Sequence, residues 1–75
     1  PLLAPHLDKP NMIGQIATVL GSAGININGM QVGSTAIEGT NLMAIATSGD
    51  IPNDIMLKLR GIEGIIDVKL INCEG

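Results

Sequence analysis

None of the 75 residues is a phenylalanine, tyrosine or tryptophan, although 45% of the chain is hydrophobic. The core must therefore be aliphatic, and each large side chain stabilises it by about 1.5–3 kcal/mol when fully buried. A domain of this length buries only about 60% of its unfolded surface. The single cysteine, Cys73, reads as a bystander near the terminus, so no internal disulfide reinforces that core. Domains of this kind gain their remaining stability from another domain or from a second copy of themselves. Oligomerisation is the expectation, and the lone thiol fits a reducing, cytoplasmic setting.

Seven acidic residues against four basic ones give a net charge of −3. That balance offers no cationic footprint for a phosphate backbone or an anionic bilayer, and the missing aromatics remove the platforms on which single-strand readers stack bases. Neither nucleic acid nor a membrane is an expected partner. No run approaches the roughly 18 apolar residues of a membrane span, and no basic segment precedes a hydrophobic stretch. With its start at Pro1 rather than Met, the sequence is expected to be a piece of something longer, with one domain over residues 1–75. His6 is the sole histidine, so with one cysteine it cannot complete a zinc site or a nucleophilic triad. No catalytic and no metal-ligating residues are expected.

Hydrophobic periodicity orders the chain. Residues 1–7 form a short strand, and Asp8-Lys9-Pro10-Asn11 has the punctuation of a strand-to-helix junction, with Pro10 suited to the first helical position. Ile13, Ile16, Ala17 and Leu20 make one apolar stripe on a helix over residues 10–23, stopped by Gly24 as its left-handed C′ residue. In the strand over residues 25–34, Ile25 and Ile27 share one parity and Met30 and Val32 the other. A β-bulge at Asn28-Gly29 would return all four to one face. Residues 35–41 connect this strand to another over residues 42–47, with Met43 and Ile45 facing the core. Pro52 opens a second helix, in which Ile55, Leu59 and Ile62 form the stripe and Asp54 and Lys58 an exposed i,i+4 pair. Ile66, Val68 and Leu70 alternate with Asp67 and Lys69 in a final strand. The fold class is therefore α+β, a ferredoxin-like βαββαβ arrangement with a four-stranded antiparallel sheet and two helices on one face.

That topology hosts many functions, and three can be tested against the residues. A copper chaperone needs a C-x-x-C pair, an RNA-recognition domain needs aromatics on its central strands, and an acylphosphatase-like enzyme needs an arginine in the first loop. The chain has none of these. Its one arginine, Arg60, falls late in the second helix, where a cation complements the helix dipole.

The informative constellation is His6-Leu7-Asp8-Lys9-Pro10-Asn11-Met12-Ile13-Gly14, followed by Leu20-Gly21, Ile25-Asn26-Ile27 and Met30-Gln31-Val32-Gly33. In these elements the sequence resembles the ACT domain family, small-molecule regulatory modules of amino-acid metabolism, over essentially its whole length. Within the family the likeness is to the C-terminal regulatory domain of the enzyme that oxidises 3-phosphoglycerate with NAD at the start of serine synthesis. The first loop is also suited to a zwitterion on physical grounds. Amides at the start of the first helix favour a carboxylate, Asp8 accepts from an ammonium group, and His6 and Asn26 add hydrogen-bonding capacity. The candidate ligand-binding set is His6, Asp8, Pro10, Asn11, Met12, Ile13 and Asn26. The resemblance implies L-serine as the ligand, contacted by His6 and Asp8 of one subunit and Asn26 of its neighbour. It implies feedback control of a catalytic domain that carries NAD, with no cofactor in this domain.

Two positions depart from the family pattern. Asn11 stands where glycine often follows the proline, crowding the carboxylate pocket or adding a donor to it, and Ser34 follows Val32-Gly33 where an arginine is often found. Two other readings stay open: the regulatory domain of another amino-acid enzyme, such as an iron–sulfur L-serine dehydratase, and an assembly module that dimerises without binding a ligand. Ile27, Met30 and Val32, with few charges from Ile25 to Ala36, make the second strand an unprotected edge through which a homodimer would form one continuous sheet.

Overall fold

A computed structural model describes residues 1–71; Cys73 lies outside them. The elements run β1 (Leu2–Leu7), α1 (Met12–Ser22), β2 (Ile27–Ser34), β3 (Thr40–Thr47), α2 (Asn53–Arg60) and β4 (Lys69–Leu70). The strands form one antiparallel sheet in the order β2-β3-β1-β4, which is the expected ferredoxin-like βαββαβ fold.

Alternate residues of the central strands point toward the helices, and these make the sheet's share of the core: Leu2 and Ala4 on β1, Met43 and Ile45 on β3. Ile16 and Leu20 of α1 and Ile55, Met56 and Leu59 of α2 close over them in a single cluster. Leu2, Leu20, Met43 and Ile45 expose no surface at all. An aliphatic core of this kind relies on dense packing, each buried methylene contributing about 0.8 kcal/mol.

Helix α1 begins at Met12, two residues later than Pro10, because Asn11 occupies the N-cap position. At its other end Gly24 takes φ 75. The Gly24 amide donates to the Gly21 carbonyl at 3.0 Å and the Ile25 amide to the Leu20 carbonyl at 2.9 Å, the paired bonds of a Schellman stop. The parity slip in β2 is a bulge. Ile27 lies opposite Thr47 and Gly29 opposite Ala46, leaving Asn28 as the extra residue. Ile27, Met30 and Val32 thereby share the helix-side face.

The last strand is much shorter than its alternation predicts. Only Lys69 and Leu70 form the ladder, and of the three alternating residues Val68 is buried while Ile66 is 55% exposed. Pro5 accounts for the difference. Its carbonyl accepts from the Ile66 amide at 2.9 Å and the Asp67 amide at 3.4 Å, so it faces β4. The N–H that proline lacks would point the same way, since both polar groups of a strand residue lie on one side. With no donor there, the passing chain bulges by one residue, from His6 opposite Ile65 to Leu3 opposite Lys69. Arg60 stabilises the irregular stretch, its Nη2 donating to the Val68 carbonyl at 2.9 Å and its Nε lying 3.7 Å from the Asp67 carboxylate. Among the described residues the ion pairs are this one and Lys9–Glu63, rather than the expected Asp54–Lys58.

Candidate functional site

Three connections meet at one end of the sheet: the β1–α1 loop, the β2–β3 turn and the α2–β4 loop. The Asp8 amide donates to the Gly39 carbonyl at 2.9 Å and the Leu7 amide to the Gly64 carbonyl at 2.8 Å. Gly64 holds φ 99, and a Cβ there would stand 2.9 Å from the Met12 sulfur. Only glycine permits that approach. An exposed ion pair, Lys9 Nζ to Glu63 Oε1 at 3.5 Å, ties the same two loops. The β1–α1 loop is thus held from both sides.

Asp8 is exposed, and its Oδ1 accepts from Asn41 Nδ2 at 3.1 Å. One such bond leaves most of a carboxylate's acceptor capacity free. His6 lies beneath the loop, 2% exposed. Its Nδ1 is 2.9 Å from the Ala4 carbonyl. A carbonyl only accepts, so Nδ1 carries a proton and donates to it.

The start of α1 is open. The first intrahelical bond runs from the Gln15 amide to the Asn11 carbonyl at 3.1 Å, so the amides of Met12, Ile13 and Gly14 precede the helical ladder. Asn11 makes no side-chain cap and the first turn holds no acidic residue. Asn11 sits in the left-handed region at φ 65, ψ 14, and its side-chain oxygen lies over Gly14, where a Cβ would clash with it. A depression of about 360 Å³ beside this turn is lined by Asn11, Gly14, Gln15, Thr18, Val19 and Ile62. Pro10 is an exposed loop residue, and the Ile13 side chain is 45% exposed on the helix surface. Met12 is buried as a whole residue, 2% exposed.

Asn26 is elsewhere. It precedes Ile27, which pairs with Thr47, whereas Leu7 pairs with Thr40 at the opposite end of β3. At about 3.4 Å per residue the two ends are roughly 24 Å apart, so Asn26 meets Asp8 only if it comes from another copy. Asn41 and Gly39 are the site residues that periodicity does not reveal. Asn41 stands at the polar start of β3, ahead of its apolar run, and its position opposite His6 depends on register. Among the described residues no cluster of three or more His, Cys, Asp or Glu side chains could hold a metal ion, and no helix is long and apolar enough to cross a membrane.

The fold is that of an ACT domain. The ACT domain of a GTP pyrophosphokinase from Chlorobium tepidum superposes with a TM-score of 0.68 at 22% identity, covering 91% of this chain and 90% of that one. The small subunit of acetolactate synthase from Thermotoga maritima superposes at 0.74 with 18% identity, over 91% of this chain and 44% of its own. In sequence the chain is a relative of the D-3-phosphoglycerate dehydrogenases, matching a short segment of each. It is 37% identical to the Methanocaldococcus jannaschii enzyme over 67 residues, which is 89% of this chain and 13% of that protein. It is 35% identical to the Synechocystis enzyme over 66 residues, 88% of this chain and 12% of that protein. No family model matches the chain.

Proposed function

We propose that this chain is the regulatory domain of a D-3-phosphoglycerate dehydrogenase and senses L-serine or a similarly small amino acid. The observation that carries the reading is the open N-terminus of α1 beside the Asp8 carboxylate. Backbone amides with partial positive charge suit the ligand's carboxylate, and Asp8 suits its ammonium group. Asn26 completes the site from a second copy, docked along the edge strand β2. That strand has eight residues and no charge, and pairing through it would give a continuous two-domain sheet. A ligand held between two copies favours one arrangement of them over another, and so acts on a catalytic, NAD-carrying domain elsewhere in the parent enzyme. The dehydrogenase parent is preferred to an iron–sulfur L-serine dehydratase because the relatives described above are dehydrogenases.

A second reading, an assembly module without a ligand, draws support from the buried His6 ring and from Asn11 lying over the first turn. Calorimetry with serine, glycine and other small amino acids separates the two. Saturable heat from at least one of them, lost in Asp8→Ala, is the expected result; silence from all of them leaves the assembly role.

A further inference from the structure

Antiparallel sheets with helices on one side ordinarily alternate apolar and polar residues, with the polar set facing water. This sheet does not. On the face turned away from the helices, β1 presents Leu3, Pro5 and Leu7, β3 presents Leu42, Ala44 and Ala46, and β2 presents Gly29, Gln31 and Gly33, as their pairings dictate. The only charged ladder residue on this side is Lys69, on the rim strand β4.

Gly29 belongs to the bulge at Asn28, but Gly33 has no explanation within one copy. Neither has a positive φ, and a Cβ at either would meet nothing within 4 Å. Glycine weakens a strand and commonly marks a place where something approaches closely. Here it leaves a trough along β2 and β3, with one depression of about 400 Å³ over Gly29, Gln31, Ala44 and Ala46 and another over Gln31, Gly33 and Leu42. Beside the trough, Leu3, Pro5 and Leu7 make β1 a ridge. We infer that this face docks against the same face of a second copy of the chain.

The relief is self-complementary. A two-fold axis lying along β3, between two facing sheets, sets the β1 ridge of each copy over the β2 trough of the other and stacks β3 on β3. Sheets packed in this aligned way interdigitate about 10 Å apart. About this axis β1, β2 and β3 overlap while β4 overhangs; three strands about 4.8 Å apart and about seven residues long cover roughly 14 by 24 Å. Two such faces bring together on the order of 700 Å² in projection, the size of the weaker specific contacts, below about 1,200 Å². The absence of charge from β1, β2 and β3 on this side means that no ion is stranded by the contact. The surface is independent of the β1–α1 loop and of the β2 edge, so it holds whether or not those act as proposed above.

Sedimentation equilibrium of the 75-residue chain at high micromolar concentration, compared with Gly33→Lys on β2 and Leu42→Lys on β3, tests the inference. Circular dichroism checks that each variant keeps its sheet, and Gln31→Lys, a change at an exposed position, replaces either one that does not. The expected result is that each variant has half the mass of the wild type. A tetramer falling to a dimer means that β2 edges also pair; a dimer falling to a monomer means that they do not, and both support the face contact. A monomeric wild type, unchanged masses in the variants, or a loss confined to Gly33→Lys would overturn it.

Discussion

The side-chain oxygen of Asn11 fills the space in which a Cβ on Gly14 would stand, so the two residues are matched across the first turn of α1. Asn11 holds φ 65, a left-handed conformation that glycine adopts freely, asparagine tolerably and most other residues at a cost of roughly 1–2 kcal/mol. Asparagine in place of the glycine expected there is therefore conformationally consistent. Asn11→Ala should lower stability by about 1 kcal/mol in urea unfolding, while Asn11→Gly should change it by less than about half of that. Equal losses would show that positive φ is not what the position requires.

Asp8 should matter most for ligand affinity, and Asn41 should matter through Asp8. Asp8→Ala is expected to weaken binding of the active amino acid by about 1.5–3 kcal/mol, as for a lost hydrogen bond to a charged group. Asn41→Ala, which releases the carboxylate without removing it, should cost about 0.5–1.5 kcal/mol. Titration calorimetry reads both. An Asn41→Ala variant that binds as well as wild type would mean that Asp8 needs no help in holding its position.

If Asn26 comes from the neighbouring copy, defects at Asp8 and Asn26 should complement each other. Asp8→Ala and Asn26→Ala homodimers each lack both sites. In a dimer formed from one chain of each kind, one site carries both lesions and the other carries none. After an equal mixture re-equilibrates, about a quarter of the wild-type binding capacity should return, given random pairing. No recovery would place Asn26 outside the ligand site.

Val68 and Ile66 should respond very unequally to truncation, though both fall on the apolar phase of the same alternation. Val68 is 1% exposed and Ile66 is 55% exposed. Val68→Ala should cost about 2 kcal/mol for the two carbon groups and the space they leave, and Ile66→Ala less than about 0.5 kcal/mol. Thermal or urea unfolding decides; a larger loss at Ile66 would contradict the bulge opposite Pro5.

The order of elements, the helix stop at Gly24 and the bulge in β2 were legible because each leaves a local mark: a stripe, a glycine after the stripe, a slip in parity. The β4 bulge leaves no such mark in its own segment, where Ile66, Val68 and Leu70 alternate without a break. Its cause is Pro5, some sixty residues away, and a proline inside β1 is the one mark it leaves in the sequence. The candidate site shows the same division. Asp8 and the helix start declared themselves by spacing, whereas Asn41 reaches Asp8 only through the pairing of β1 with β3. The depth of His6 follows from its facing the helices in register with Leu2 and Ala4, which no local pattern around the histidine reveals.

Pro5 has one more effect, on how the sheet can grow. By denying β4 a partner donor it leaves that border, among the described residues, with a two-residue ladder, too short to template an incoming strand, while β2 on the other border offers eight. A sheet with two good borders can add copies without limit, which is the geometry of a fibre. With one good border, edge pairing uses itself up after a single partner and closes on a two-fold axis. A proline in the middle of the sheet thus guards an uncharged, aliphatic chain against endless polymerisation.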